Sequence, residues 1–333
     1  MAIETIMRAL ADPTRLRIMR LLGTMELAVG ELAQALAQSQ PRVSRHVAIL
    51  CDAGLAERRR EGSWVFLRSA VGEGTRPIGD AVARLLATAE REDEAFGAIA
   101  GEDRRQLAAI RAAREAGAAQ YFAAHAQDWD ELRQLHSPDG EVERALADAL
   151  AERPLGRLLD IGTGTGRMAE LFAQSADHVV ALDKSLDMLR MARAKLQTLP
   201  ADKVELVQGD FAALPFAAHS FDTVMLHQVL HFAQDPAAAL AEAARVTKPG
   251  GRIAIVDFAA HAHEELRDRH QHARLGFTDG AMAKLLGAAG FEHRDPLALE
   301  GPKTLQDDAL VVKIWIADRL GAIAPVDREE LAR

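Results

Sequence analysis

The sequence contains a single cysteine among 333 residues, and this scarcity excludes two kinds of site. Cys51 cannot form a disulfide within the chain, and a metal centre built from several thiolates is excluded as well. Long apolar runs are also missing, because no stretch approaches the about eighteen uninterrupted apolar residues of a membrane-spanning helix. The first residues lack the basic flank and apolar core of a signal peptide. We therefore expect a cytoplasmic protein without a membrane segment.

Charge is distributed unevenly along the chain, whose net charge is −9 at pH 7. Residues 1–70 hold ten arginines and no lysine against seven carboxylates, a balance of +3, which leaves −12 for the remainder. A length of 333 residues suits two domains better than one. A basic segment joined to an acidic one suggests that only the first tolerates phosphate groups.

The first seventy residues predict three helices followed by a hairpin. Asp12-Pro13 is a helix start, because Asp accepts from free backbone N–H groups and Pro loses nothing in the first turn. Gly54 follows the third helix as its C-terminal cap. The predicted elements are, in order, helices at 13–22, 29–36 and 39–52 and strands at 55–60 and 64–68. This order is typical of a winged helix-turn-helix.

The third helix has an apolar face of Val43, Val47 and Leu50, so its opposite face must point outward. Forked arginine donors and short polar side chains on such a face suit guanine edges and phosphates. The candidate DNA-contacting residues are Gln40, Arg42, Ser44, Arg45 and His46 in this helix and Arg58, Arg59 and Arg60 in the wing. His46 lies nearer the core side, so a packed or capping role stays open. A winged helix that contacts only proteins is the alternative for the whole segment.

The residues of this segment resemble a known family. Ala11-Asp12-Pro13-Thr14-Arg15-Leu16-Arg17-Ile18, then Val43-Ser44-Arg45-His46-Val47-Ala48-Ile49-Leu50, is similar to the ArsR/SmtB family of dimeric repressors. The resemblance implies binding of double-stranded operator DNA as a homodimer. Metal-sensing members carry two cysteines where this chain has Ala28 and Gly30, and the stretch 72–100 contains no histidine. We therefore expect no metal site.

Residues 77–118 are rich in Ala, Glu and Arg and predict long helix, interrupted near Gly97 and Gly101. By analogy with the ArsR/SmtB family we assign dimerisation to this segment, and a solvated spacer helix is the alternative. The expected domains are a winged helix at 1–75, dimerisation or linker helices at 76–118, a cofactor domain at 119–320 and a tail at 321–333.

From about residue 155 the sequence alternates strands and helices, which predicts a doubly wound, mostly parallel α/β sheet. The candidate strands are 157–161, 178–183, 204–209, 221–226, 252–257, 291–294 and 310–317, the last two as a closing hairpin. A Rossmann-like sheet of seven strands is therefore expected.

The first of these strands ends in the glycine loop Asp160-Ile161-Gly162-Thr163-Gly164-Thr165-Gly166, where a ligand can approach the following helix closely. Arg167 stands where the dinucleotide fingerprint has its last glycine, which disfavours a nicotinamide cofactor. Asp183 ends the second strand and can accept both hydroxyls of a ribose. A sheet without a ligand remains an alternative.

The loop together with the strand ends resembles the class I S-adenosylmethionine-dependent methyltransferases. The resemblance implies S-adenosylmethionine or S-adenosylhomocysteine as ligand. The implied contacts are Asp160, Gly162, Thr163, Gly164, Gly166, Asp183, Lys184, Met188, Asp210, Phe211, Gln228 and Tyr121. Tyr121 belongs to a helix that carries Phe122 and Trp129 on one face, and this helix either covers the cofactor or packs on the sheet.

No catalytic signature is visible for methyl transfer. His227, which follows the fourth strand, is a candidate base, and a supporting role beside the cofactor is equally open. Four histidines (His261, His263, His270 and His272) crowd within twelve residues. We interpret them as part of a polar helix or an acceptor pocket rather than as metal ligands, because arginines surround them.

Two functions from different classes remain. The first is a transcriptional repressor that senses S-adenosylmethionine or its demethylated product, similar to ArsR-type regulators of the methionine cycle that respond to S-adenosylhomocysteine. The second is an active methyltransferase on a small molecule, with a winged helix that regulates its own operon. Intact cofactor motifs do not separate the two, because both need the same glycines and carboxylates.

Overall fold

A computed structural model of the chain describes residues 3–61, 64–71, 77–130, 139–200, 202–300 and 310–321. The chain divides into two compact units, Met1–Ala118 and Ala119–Arg333. Among the described residues, no helix combines the length and the apolar character that crossing a bilayer requires. The predicted tail at 321–333 lies outside the described residues except for its first residue.

The first unit contains the predicted winged helix. Its elements are α1 (Ile3–Leu10), α2 (Pro13–Leu22), β1 (Leu27–Ala28), α3 (Val29–Ala35), α4 (Gln40–Asp52), β2 (Ala56–Glu61), β3 (Trp64–Ser69), α5 (Pro77–Glu92) and α6 (Glu94–His125), whose last residues belong to the second unit. β3 lies between β1 and β2 and pairs antiparallel with both. Two elements, α1 and β1, were not predicted.

Local chemistry explains the boundaries of α2 and the packing of α4. The Arg15 N–H donates to the Asp12 side chain at 3.1 Å, so Asp12 caps α2 as predicted. Val43, Val47 and Leu50 are the buried residues of α4, which confirms the predicted core face. α2, α3, α4 and the hairpin thus share one apolar core.

The helical segment after the wing is interrupted at Asp93, and the prediction of breaks near Gly97 and Gly101 is wrong. Asp93 separates α5 from α6 and caps the new helix, because its side chain accepts from the Phe96 N–H at 3.0 Å. Both glycines lie inside α6. An aspartate that offers an acceptor to free N–H groups ends one helix and starts the next more effectively than a glycine, which α-helices tolerate at modest cost.

The second unit is an α/β sheet with helices on both sides. Its elements are α7 (Asp139–Leu150), β4 (Arg157–Ile161), α8 (Arg167–Phe172), β5 (His178–Asp183), α9 (Leu186–Leu196), β6 (Val204–Gln208), β7 (Phe221–His227), α10 (Pro236–Val246), β8 (Thr247–Phe258), α11 (Glu265–His270), α12 (Asp279–Ala288), β9 (Phe291–His293), β10 (Leu297–Glu300) and β11 (Val311–Arg319).

The strand order is β10-β11-β8-β7-β4-β5-β6, with β9 also paired to β11. β4 to β8 run parallel, and β11 is antiparallel to its neighbours. Leu159 and Val224 pack into one apolar cluster and Leu158 and Met225 into another, so both faces of the sheet are covered. The order reverses beside β4, which places a switch point at its carboxyl end.

The sheet has eight strands instead of the seven expected. The predicted strand at 291–294 is followed by a second short strand, β10, and both pair with β11. Asp295-Pro296 separates them, because proline lacks the N–H that a continuous ladder needs. The predicted antiparallel closing of the sheet by its last strand is confirmed.

Candidate functional site

The exposed face of α4 borders an open concavity of about 740 Å³ in the first unit. Arg42, Ser44 and Arg45 are exposed on the helix side opposite its buried residues. The concavity is lined by Gln40, Ser44 and Arg45 of α4, by Arg58 of the wing and by residues of α3. A cationic, concave surface of this kind can accommodate a phosphate backbone while arginines reach base edges.

The three wing arginines have different environments. The Arg59 guanidinium donates to the Glu26 carboxylate at 3.1 and 3.2 Å and lies 5.0 Å from the Phe66 ring centre. Alternation along β2 puts Arg58 and Arg60 on the opposite face, and both are exposed. Arg59 is therefore held in the body of the wing, whereas Arg58 faces the concavity.

His46 lies closer to the core than the rest of the predicted DNA-contacting set. Its Nδ1 is 3.6 Å from the Asp12 carboxylate, and the side chain is mostly buried. This placement matches the packed or capping role left open for it. The DNA-contacting hypothesis therefore depends on the exposed members of the set, which are Gln40, Arg42, Ser44, Arg45, Arg58 and Arg60.

In the second unit, the glycine loop closes against the end of β5. The N–H groups of Gly162 and Thr163 both donate to the Leu182 carbonyl, at 2.8 and 2.9 Å. All three loop glycines have positive φ. A Cβ on Gly162 would lie 2.3 Å from the Val229 side chain, so this position has no room for a larger residue.

Asp183 is the carboxylate that holds both the glycine loop and the turn after β5. One oxygen accepts from the Gly164 N–H and the other from the Ser185 N–H, each at 2.8 Å. Burial raises the pKa of Asp183, and the backbone N–H donors offset only part of that effect. The Lys184 backbone is a third donor to this carboxylate, whose two oxygens are acceptors of the kind that ribose hydroxyls require.

The neighbouring carboxylates are fixed as well. Asp160 is buried at the end of β4 and accepts from the Thr163 hydroxyl at 2.6 Å. Lys184 donates to Asp210 at 2.8 Å, which ties the ends of β5 and β6 together. Burial alone would raise the pKa of Asp210, but the hydrogen bonds from Lys184 and the Ala212 N–H and the lysine charge lower it.

Gln228 follows β7 in a left-handed backbone conformation, with φ 51°. Its side chain is buried, and within the described part of the chain its Nε2 has no hydrogen-bond partner. This unpaired buried donor in a strained backbone keeps Gln228 as a candidate for a ligand contact. Met188 is buried on α9, and Phe211 packs at the edge of the core beside these strand ends.

The aromatic residues at the end of α6 gather near the glycine loop. Trp129 lies 5.4 Å from Phe122 and 6.5 Å from Tyr121 between ring centres, although α6 ends at His125 and the expected continuous helix is absent. The Trp129 Nε1 atom is the nearest neighbour of a Cβ built on Gly164, at 3.6 Å.

Hydrogen bonds hold this segment in place. Asp130 accepts from the Thr165 hydroxyl at 2.6 Å and from Lys195 at 2.5 Å. The Tyr121 hydroxyl is 2.7 Å from Nδ1 of His270, so Tyr121 contacts the histidine-rich segment directly.

Arg167, which replaces the last glycine of the dinucleotide fingerprint, forms ion pairs. It donates to both oxygens of Glu143 on α7, at 2.8 and 2.6 Å, and to Glu170. The side chain therefore fastens α7 to the helix that follows the loop.

Sequence reasoning missed a second histidine near His227. His231 forms a buried pair with Asp257, its Nδ1 lying 2.8 Å from Oδ1. The one sequence signal for this pair was Asp257, a carboxylate at the end of a predicted buried strand. In the described residues no group of three or more histidine, cysteine or carboxylate side chains is arranged to hold a metal ion.

Both segments match known protein families. Residues 12–58 match the family model "Bacterial regulatory protein, arsR family", and residues 159–255 match the model "Methyltransferase domain". A demethylmenaquinone methyltransferase of Renibacterium salmoninarum is 40% identical over 116 residues, 35% of this chain and 47% of that protein. A ubiquinone/menaquinone biosynthesis C-methyltransferase of Ruegeria is 36% identical over 126 residues, 37% of this chain and 50% of that protein.

The chain thus spans about half the length of the curated relatives it matches. Among solved structures, the YcgJ protein of Bacillus subtilis aligns with a TM-score of 0.46 and 21% identity, over 55% of this chain and all of that one.

Proposed function

From a chain that joins an ArsR-family segment to a methyltransferase domain, we propose a DNA-binding transcriptional repressor that binds S-adenosylmethionine or S-adenosylhomocysteine. The observation that carries this proposal is the presence of both surfaces in one chain. One is the exposed arginine face of α4, and the other is the edge of strand ends around Asp183.

The edge of the sheet fits S-adenosylmethionine by its donors and acceptors. Asp183 offers carboxylate oxygens as acceptors for ribose hydroxyls, and Gln228 has a buried amide donor for a polar ligand atom. Gly164 brings bare backbone beside Trp129, where a ligand can approach closely. When bound, S-adenosylmethionine supplies a methyl group activated by a sulfonium.

Coupling between the two surfaces can travel along α6. The boundary between the units falls within this helix, and its last turns carry Tyr121 and Phe122, which contact other rings of the second unit. A ligand that repositions these rings would bias α6 only if it binds one arrangement more tightly than the other.

DNA affinity with and without ligand tests this proposal. An operator selected from randomised duplexes is titrated with apo protein, with S-adenosylmethionine and with S-adenosylhomocysteine, by fluorescence anisotropy at fixed salt. We expect one ligand to change the dissociation constant by about tenfold, which corresponds to about 1.4 kcal/mol. Equal affinities in all three titrations would contradict a sensing role.

We also propose a homodimer as the DNA-binding species. Large apolar side chains are exposed on α1, α5 and α6: Ile3 (61%), Met7 (56%), Leu85 (53%) and Ile99 (46%). A second copy of the chain is the occupant that suits them, because winged-helix repressors read two half-sites as dimers.

Leu85→Glu should therefore convert the dimer to a monomer in sedimentation velocity, because a carboxylate would be buried without a partner. Operator affinity should fall with it. Leu186→Glu, at an exposed apolar residue of α9 in the other unit, is the matched control and should stay dimeric. A wild-type protein that sediments as a monomer would contradict the dimer.

The second candidate function is an active methyltransferase on a small molecule. It is favoured by the curated relatives, which are methyltransferases with 36% and 40% identity to the domain. The names of these relatives concern quinone biosynthesis, so a quinone-like ring is the acceptor to examine first.

A further inference from the structure

A buried pair of His231 and Asp257 lies at the carboxyl edge of the sheet. The pair joins the turn after β7 to the end of β8, and its side chains are 3% and 0% exposed. The Asp257 carboxylate accepts three N–H groups: His231 Nδ1 at 2.8 Å, the His231 backbone at 3.1 Å and the Phe258 backbone at 2.8 Å. These bonds fix the imidazole ring and place its lone pair on Nε2.

Nε2 of His231 makes no hydrogen bond within the described residues, although the ring is almost enclosed. The ring centre lies 4.1 Å from that of Phe232 and 5.2 Å from that of Phe258. A basic nitrogen in apolar surroundings, backed by a carboxylate, is the arrangement that accepts a proton efficiently from a bound hydroxyl group.

Other titratable and charged groups lie around His231, but the partner of its Nδ1 is Asp257. His272 lies 4.2 Å away between ring centres, and Arg274 donates its backbone N–H to the His231 carbonyl and its guanidinium to Gln234. Burial, followed by the nearby histidines, lowers the pKa of His261 to about 4. His261 is therefore neutral at neutral pH and adds no positive charge beside the pair.

The pair is next to the glycine loop. The turn that carries His231 begins with Val229, whose side chain occupies the space beside Gly162. Phe232 lies 6.3 Å from Trp129 and 4.9 Å from Phe122 between ring centres, and Trp129 borders Gly164. An apolar, aromatic wall thus connects the loop to the pair.

We propose that His231 is the proton acceptor in methyl transfer to the hydroxyl group of a planar aromatic molecule, with Asp257 as its positioning residue. The aromatic wall suits a planar ring, which packs edge to face or offset against such side chains. This inference rests on the methyltransferase candidate above and is independent of DNA binding.

The step balances without a further reactant. The hydroxyl proton of the acceptor moves to Nε2 of His231 while an oxygen lone pair forms the bond to the methyl carbon. The methyl–sulfur bond breaks and its electron pair stays on sulfur, which becomes a neutral thioether. The imidazolium is stabilised by Asp257 and returns its proton to water.

A phenol whose ionised form is coloured reports this proton transfer without turnover. In the complete chain saturated with S-adenosylhomocysteine, bound 4-nitrophenol should ionise about one pH unit lower than free 4-nitrophenol, because transfer to the His231–Asp257 pair favours the phenolate. His231→Asn keeps a side-chain donor for Asp257 but removes the proton acceptor. It should abolish the shift and reduce methyl transfer by about 100-fold or more.

Calorimetry with S-adenosylhomocysteine distinguishes failure of the proposed function from failure of the proposed role of His231. Wild-type protein that does not bind this ligand would contradict the proposed function itself. Binding of the ligand with no shift in the ionisation of 4-nitrophenol would overturn the role of His231, and this result needs no variant. A His231→Asn protein that retains the shift and the activity would overturn it as well. Asp257→Asn should give a partial loss that depends on pH, whereas a purely structural role would lower thermal stability without moving the pH profile.

Discussion

Replacing Asp183 with alanine should weaken binding of S-adenosylhomocysteine by about 100-fold or more, because two hydrogen bonds from ribose hydroxyls to a charged group are lost together. The substitution also removes the acceptor of the Gly164 and Ser185 N–H groups, so the glycine loop loses its support. Asp187→Ala is the matched control, because Asp187 is an aspartate in the next helix that pairs with Arg190 on the surface. Isothermal calorimetry measures both variants, and an unchanged affinity in Asp183→Ala would contradict the site.

The same carboxylate should make the binding of S-adenosylhomocysteine depend on pH. Burial raises the pKa of Asp183, so as the pH falls Asp183 becomes protonated at a higher pH than an exposed aspartate does. Affinity should therefore be complete above this raised pKa and should fall as the pH drops through it, because a protonated carboxyl accepts fewer hydrogen bonds. The pKa of Asp210 is lowered, so Asp210 stays ionised over that window. Asp183→Asn should remove the pH dependence.

Arg45→Ala should reduce discrimination between operator and random DNA by about tenfold to a hundredfold, because one forked contact to a base edge supplies about 1–3 kcal/mol of specificity. Non-specific affinity should fall much less. Arg190→Ala, in α9 of the other unit, removes the same charge from an exposed surface and should leave discrimination intact. Competition anisotropy with both duplexes at one salt concentration measures the ratio. If the ratio in Arg45→Ala is the same as in the wild type, a role of α4 in base recognition is contradicted.

Much of this architecture follows from local sequence signals. The cap at Asp12 and the apolar spacing of Val43, Val47 and Leu50 determine where α2 begins and which face of α4 is buried. The strands β4 and β5 begin and end at the predicted residues, because each is a short apolar run bounded by a glycine or a charged residue. The spacing of apolar residues and the glycines or charged residues that flank them are sufficient to predict elements of this kind.

These local signals could not predict which residues pair when they are far apart in the sequence. Glu26 and Arg59 meet across 33 positions, and His231 and Asp257 meet across 26. Each of these residues is ordinary in its own segment, and only the register of the strands brings the partners together. For the same reason three consecutive wing arginines looked equivalent, although strand alternation gives Arg59 a different environment from Arg58.

If cofactor binding and operator binding are coupled in one molecule, each ligand must change the affinity for the other by the same factor. The dissociation constant of S-adenosylhomocysteine is measured by calorimetry on the free protein and again on the protein saturated with operator DNA. We expect the two constants to differ by the same factor by which this ligand changes operator affinity, about tenfold. Identical constants, obtained with a protein that binds both the ligand and the operator, would contradict the coupling.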